Sequence, residues 1–210
     1  MVTLSSRLFV VTDRHQTKGR PLVPLLQRVL SVAAPAIQLR ERDLPVRELV
    51  ALAQEVQALT HAGGSQLLIN DRIDVALSLE GAGVHLRSNS LPVSVARRLL
   101  GADRLLGISV HGVEEAVQAE SQGADYVILG PIYETPSKQA FGAPLGIQTL
   151  EKACLAVRIP IVGIGGVTAA RARDMRQAGA FGVAVITAIL GAEDVESATR
   201  ELLDAVMCLP

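Results

Sequence analysis

Eight short runs of branched aliphatic residues, with helix-like segments between most of them, restrict this sequence more than any other feature. They are Leu8–Thr12, Ala36–Leu39, Leu67–Ile69, Gly83–Leu86, Leu106–Val110, Tyr126–Leu129, Ile161–Ile164 and Gly182–Ile186. Gly, Pro or charged residues bound the runs, which read as strands buried on both faces. Helical spacing follows: Val46, Leu49, Val50, Ala53, Val56 and Leu59 form one stripe, Val113, Ala116 and Val117 begin another, and Val195–Met207 closes the chain. Strand and helix in alternation imply parallel pairing through right-handed crossovers. An open doubly wound sheet would need helices on two faces and a point where strand order reverses, and nothing marks one. The expectation is an α/β fold, a (β/α)8 TIM barrel, with residues 1–210 as a single domain.

Turn chemistry agrees. Gly81-Ala82-Gly83, Gly123-Ala124-Asp125 and Gly179-Ala180-Phe181-Gly182 precede the fourth, sixth and eighth strands and read as αβ corners. With aromatics at only 2% of the chain, the core must be built from Leu, Ile, Val and Ala. A net charge of −1 and the lack of any basic run with interleaved aromatics exclude nucleic acid as an expected partner. No apolar stretch reaches the roughly 18 residues of a membrane span, and no secretory core precedes Asp13-Arg14, so a soluble cytoplasmic protein is expected. A homo-oligomer is left open. Cys154 and Cys208 lie far apart, and no two histidines have metal-binding spacing.

In such a barrel the chemistry gathers where strands end at their carboxyl termini. Those positions hold Gln38, Arg40, Glu41 and Arg42 after the second strand and Asn70-Asp71 after the third. His85 and Arg87 follow on the fourth, Ser109 and His111 on the fifth, and Gly130 to Lys138 after the sixth. Gly165-Gly166 and Ile186-Thr187 end the last two. Two anion sites emerge. Gly165-Gly166-Val167-Thr168 with Ile186-Thr187 offers close backbone approach and free N–H groups at the loops where barrels commonly hold a phosphate. Arg40, Arg42 and Lys138 form a cationic cluster, beside which Asp71 suits an anion only if a divalent cation bridges them, the usual role of Mg²⁺ with a diphosphate. Ser109 and His111 alternate on the fifth strand and are expected to point the same way. His111 and His85 are the acid–base candidates, each with a purely structural hydrogen-bonding alternative.

Several segments together resemble the thiamin phosphate synthase/TenI superfamily. They are Gln38-Leu39-Arg40-Glu41-Arg42, Leu68-Ile69-Asn70-Asp71-Arg72, Gly83-Val84-His85-Leu86, Gly123-Ala124-Asp125-Tyr126-Val127, Gly130 to Lys138, Ile164 to Val167 and Val183 to Ile186. The resemblance runs in order through nearly the whole chain. It implies a synthase that couples hydroxymethylpyrimidine diphosphate to a thiazole phosphate and releases diphosphate. Gln38, Arg40 and Arg42 would hold the diphosphate, with Asn70, Ser109 and Lys138 beside it and Asp71 binding Mg²⁺. Thr135, Ser137, Gly166, Ile186 and Thr187 would hold the thiazole phosphate.

Two positions depart from the synthase pattern. Arg42 stands where synthases usually carry Lys. Ser90 stands where they carry a second Mg²⁺-binding Asp, and a neutral hydroxyl is the weaker ligand. Both departures resemble TenI-type thiazole tautomerases, yet Pro131 occupies the place of the tautomerase histidine. Diphosphate displacement is the leading expectation. A tautomerase acting on a carboxythiazole phosphate, with His111 or His85 moving the proton, is the second. A non-catalytic binding or regulatory paralogue is the third.

Overall fold

The computed structural model describes residues 3–135 and 143–207. Strands β1 (Leu8–Val11), β2 (Ala36–Leu39), β3 (Leu67–Asn70), β4 (Gly83–Leu86), β5 (Leu106–Val110), β6 (Tyr126–Leu129), β7 (Ile161–Ile164) and β8 (Gly182–Val185) pair in sequence order, all parallel, and β8 returns to β1. The sheet is therefore a closed (β/α)8 barrel. The helices between strands are α1 (Leu22–Leu30), α2 (Val46–Ala62), α3 (Ile73–Leu77), α4 (Val93–Leu100), α5 (Val113–Ser121), α6 (Ile147–Ala156) and α7 (Ala169–Gln177), with α8 (Thr187–Leu190) and α9 (Val195–Met207) after β8.

Five strands have the bounds expected from sequence, and three shift by one residue. β1 stops before Thr12, whose hydroxyl turns to Glu41. β3 runs on to Asn70, which pairs with His85. β8 stops before Ile186, the residue that caps α8. Gly81, Gly123 and Gly179 all take positive φ at the αβ corners, which glycine enters without steric cost. On α2, the stripe that reaches the core is Leu49, Ala53, Val56 and Thr60, while Val46 is 48% exposed at the helix start.

Alternation along each strand divides the apolar residues into two shells. Leu8, Val10, Ile37, Leu39, Ile69, Val84, Leu86, Val127, Leu129 and Val183 face outward and pack under the helices. Phe9, Val11, Ala36, Leu68, Tyr126, Ile128, Val162 and Ala184 face inward and fill the lumen. Tyr126 lays its ring over β5 because its strand partner is Gly107, where any Cβ would strike the phenol ring. Among the described residues, no helix is long and apolar enough to cross a membrane.

Candidate active site

The same inward alternation that buries Ala36 and Leu68 brings Gln38 and Asn70 into the lumen one step nearer the carboxyl pole. His85 and Ser109 join them from β4 and β5 by register, Asn70 opposite His85 and His85 opposite Gly107. The Gln38 amide donates to Asn70 Oδ1 at 3.1 Å, and Gln38 Oε1 is a buried acceptor with no partner among the described residues. His85 is 1% exposed, with Nδ1 3.1 Å from the Tyr126 hydroxyl and Nε2 2.9 Å from Ser109 Oγ. Burial pushes the imidazole down to a pKa of about 3, against the opposing pull of the Asp71 charge. Burial also raises the Tyr126 phenol well above its ordinary range. Both rings are neutral at physiological pH.

Beside this layer, the carboxyl ends of β2, β3 and β4 and the start of α2 enclose a cleft of about 240 Å³ whose polar wall is Glu41, Arg42, Asn70, Asp71, Arg72 and Arg87 and whose apolar wall is Leu39, Leu44 and Leu49. Asp71 follows β3 with φ +65°, in the left-handed region that short Asp and Asn side chains tolerate. That twist aims its carboxylate across the rim. Arg87 Nε donates to Asp71 Oδ2 at 2.7 Å, and the Ser90 hydroxyl donates to Oδ1. Ser90 therefore stands beside Asp71, where the family pattern puts a second carboxylate. Arg72 turns away to grip Asp74.

The two arginines after β2 part company. Arg42 is exposed in the cleft, whereas Arg40 leans toward Asp13, 3.6 Å away, and does not wall the cleft. Glu41 between them points into the protein. At 4% exposure it accepts from the Thr12 hydroxyl at 2.6 Å and from the backbone N–H of Arg14 at 3.1 Å. The expected cationic cluster is thus divided, and its third member, Lys138, lies outside the described residues, as does Ser137.

The loop after β7 is built on two glycines whose backbone no larger residue could adopt without strain. Gly165 and Gly166 take φ +101° and +62°. A Cβ on Gly165 would lie 2.6 Å from Pro131 Cβ, and one on Gly166 would run into the Glu134 carbonyl. Ile132 and Tyr133 donate their N–H groups to the carbonyls of Ile164 and Gly165, which locks the loops after β6 and β7 together. Arg171 braces this junction by donating to the Gly166 carbonyl at 2.7 Å with its guanidinium 4.6 Å above the Tyr133 ring. Thr168 caps α7 through the Arg171 N–H. Ile186 and Thr187 open α8 beside them, and Thr135 is half-buried on the loop after β6.

His111 and Ser109 do not share a role. His111 lies beyond the end of β5, is exposed, and donates through Nδ1 to the Gly130 carbonyl at 2.6 Å, while Ser109 is turned to His85. Sequence reasoning overlooked Arg87 as the partner of Asp71, Glu41 as a buried hub, and Tyr126 and Arg171 as supports. A larger cavity, about 320 Å³, opens at the opposite pole between Arg7, Arg158, Arg176 and Phe181, away from every candidate site residue.

Known proteins can be set beside this geometry. The chain matches the family described as thiamine monophosphate synthase over residues 8–189. It is 45% identical to the thiamine-phosphate synthase of Roseiflexus castenholzii across 94% of this chain and 86% of that one. It is likewise 45% identical to the thiamine-phosphate synthase of Moorella thermoacetica across 95% of each. The solved thiamine phosphate pyrophosphorylase of Pyrococcus furiosus superposes with a TM-score of 0.87 at 36% identity, over 96% of this chain and 95% of that one. A 3-hexulose-6-phosphate synthase, 20% identical with a TM-score of 0.70, shares the barrel alone.

Proposed function

Because the chain belongs to the thiamine monophosphate synthase family, we propose that it joins hydroxymethylpyrimidine diphosphate to a thiazole phosphate, forming thiamin phosphate. One observation carries the reading: relatives named for that activity match at 45% identity along nearly the whole chain. In the reaction, the bond between the pyrimidine methylene carbon and the diphosphate oxygen breaks, and its electron pair leaves with the diphosphate. The cationic carbon then takes the lone pair of the thiazole ring nitrogen. No proton needs to move. That agrees with a lumen whose buried histidine is neutral and hydrogen-bonded at both nitrogens.

Negative charge accumulates on the leaving group, so cations and N–H or O–H donors at the rim lower the barrier most. Arg42 and Arg87 would supply the charge in the cleft, and Arg40, which leans to Asp13, and Lys138 are assigned here by resemblance. Asn70 and Ser109 add polar contacts from the lumen. Gln38, paired with Asn70 through their side-chain amides, would hold the diphosphate through its remaining N–H. Gly165, Gly166, Thr135, Ile186 and Thr187 would hold the thiazole phosphate, with Ser137 added by resemblance.

The donor set at Asp71 fits Mg²⁺. Asp71 and the Ser90 hydroxyl are hard oxygen ligands side by side, and Mg²⁺ is commonly held by one or two carboxylates with substrate phosphates completing its shell. When bound, the ion would neutralise charge on the departing diphosphate. With Glu41 turned inward and Asp71 the one carboxylate facing the cleft among the described residues, we assign tight binding of the ion to the ion–diphosphate pair and not to the free ion. A cytoplasmic setting, with small phosphorylated molecules as partners, goes with this reading. The test is direct: purified protein, both phosphorylated precursors and Mg²⁺ should yield thiamin phosphate. No product, with a known synthase active in parallel, would reject the proposal.

A further inference from the structure

We propose that Tyr126 and His85 form a one-way hydrogen-bond relay that fixes the Ser109 hydroxyl as a donor to the substrate. The inference follows from counting protons in a closed compartment. Tyr126 is 0% exposed, and its hydroxyl has His85 Nδ1 as its single hydrogen-bond partner among the described residues. A buried O–H must donate, so Tyr126 gives its proton to Nδ1. Nδ1 is then the acceptor of the neutral imidazole, and the ring proton resides on Nε2. Nε2–H in turn donates to Ser109 Oγ at 2.9 Å. The serine oxygen receives that bond, and its own proton must point elsewhere. Ser109 is partly exposed on the lumen side of β5, in the same layer as Asn70 and Gln38.

Reversing the chain is unfavourable. If Ser109 donated to Nε2, the ring proton would shift to Nδ1 and meet the Tyr126 oxygen, leaving the phenolic O–H buried with nothing to receive it. Such an orphan shifts the balance by about 10- to 100-fold. A doubly protonated ring is excluded by the same burial that keeps His85 neutral. Tyr126 and His85 are therefore positioning residues: neither needs to touch the reacting atoms, yet together they set the polarity of one that does. Phe9 packs against Tyr126 with ring centroids 5.6 Å apart, and Gly107 leaves the space the phenol occupies, so the ring has one place to lie. The identity of the acceptor, a leaving-group oxygen of the diphosphate, rests on the proposed function. The direction of the relay does not.

Two measurements decide the matter. Long-range ¹H–¹⁵N spectra of the labelled protein, with His85 assigned by its loss in His85→Asn, should show a neutral ring protonated at Nε2 from pH 6 to 8. An Nδ1-protonated or averaged pattern overturns the relay without reference to activity. In kinetics, Tyr126→Phe should lower kcat about 10- to 100-fold with KM nearly unchanged, because the freed serine can turn its proton back to Nε2. Ser109→Ala should do the same, Ser109→Thr should restore most of the rate, and Tyr126→Phe combined with Ser109→Ala should be no slower than Ser109→Ala alone. Additive losses refute the coupling. Should the wild-type protein form no thiamin phosphate, the proposed function fails, and binding of inorganic diphosphate with Mg²⁺ replaces turnover. Ser109→Ala and Tyr126→Phe should then each weaken it about tenfold or more, and unaltered binding removes the donor role.

Discussion

Lowering the pH from 7.5 to 5.0 should cost the fold about 2 kcal/mol through His85 alone. His85 is wholly enclosed, and its pKa falls from 6.5 to about 3 because burial penalises the charged ring. In the unfolded chain the ring takes up a proton once the pH drops below about 6.5. Between those two values the unfolded state binds more protons than the native state, so stability rises with pH from about 3 to about 6.5 and is level above that. At pH 5.0 the unfolded ring lies about 1.5 units below its pKa, and at about 1.36 kcal/mol per unit the loss is about 2 kcal/mol. The other histidines, His15, His61 and His111, are exposed. Asp43, held at about 2 by His15 and Arg14, withdraws its contribution only below pH 4. Urea unfolding at the two pH values, on wild type and on His85→Asn, isolates the effect. The wild type should lose about 2 kcal/mol and the variant only a small part of that. Equal losses would show that His85 is not the source and that the lumen admits a charged imidazole.

Three further outcomes are expected. Asp71→Asn keeps the left-handed backbone but removes the carboxylate, and should lower kcat/KM about 100-fold or more in a steady-state assay while the unfolding midpoint moves little. Ser90→Asp should reduce the Mg²⁺ concentration for half-maximal rate by about threefold or more, since it restores a second carboxylate, and a titration of rate against Mg²⁺ reads this out. Gly166→Ala combines a disfavoured positive φ with a collision against the Glu134 backbone. It should destabilise the protein by about 2–4 kcal/mol in urea unfolding and raise KM for the thiazole phosphate.

Much of the architecture was legible in the sequence because a strand buried on both faces must be apolar throughout, and eight such runs leave few arrangements. Ala36–Leu39, Gly83–Leu86 and Val195–Met207 have the bounds that periodicity implies. The rim was legible as a set of positions, since every residue following a parallel strand arrives at one pole. What each side chain does there was not. Asp71 and Arg87 are sixteen residues apart in the chain, and only the pairing of Asn70 with His85 sets their loops side by side. Glu41 and Arg42 are neighbours in a charged motif, yet one is buried under Thr12 and the other faces solvent. That choice depends on Thr12 and Arg14 from the loop after β1, and local pattern does not carry it. Tyr126 looked like one more apolar strand residue, because its hydroxyl matters only once the barrel sets His85 on the far side of Gly107 from it.

The left-handed turn at Asp71 has an evolutionary consequence. A backbone held at that torsion accepts glycine, asparagine or aspartate readily and resists longer or branched residues. Glutamate, which would conserve the charge and is a single nucleotide change from aspartate, is therefore poorly placed to take over. Drift at this site runs along a narrow path between keeping the acid and losing it to a neutral residue. A lineage that exchanges Asp71 has few ways to keep a carboxylate at this rim position, while its barrel remains free to persist.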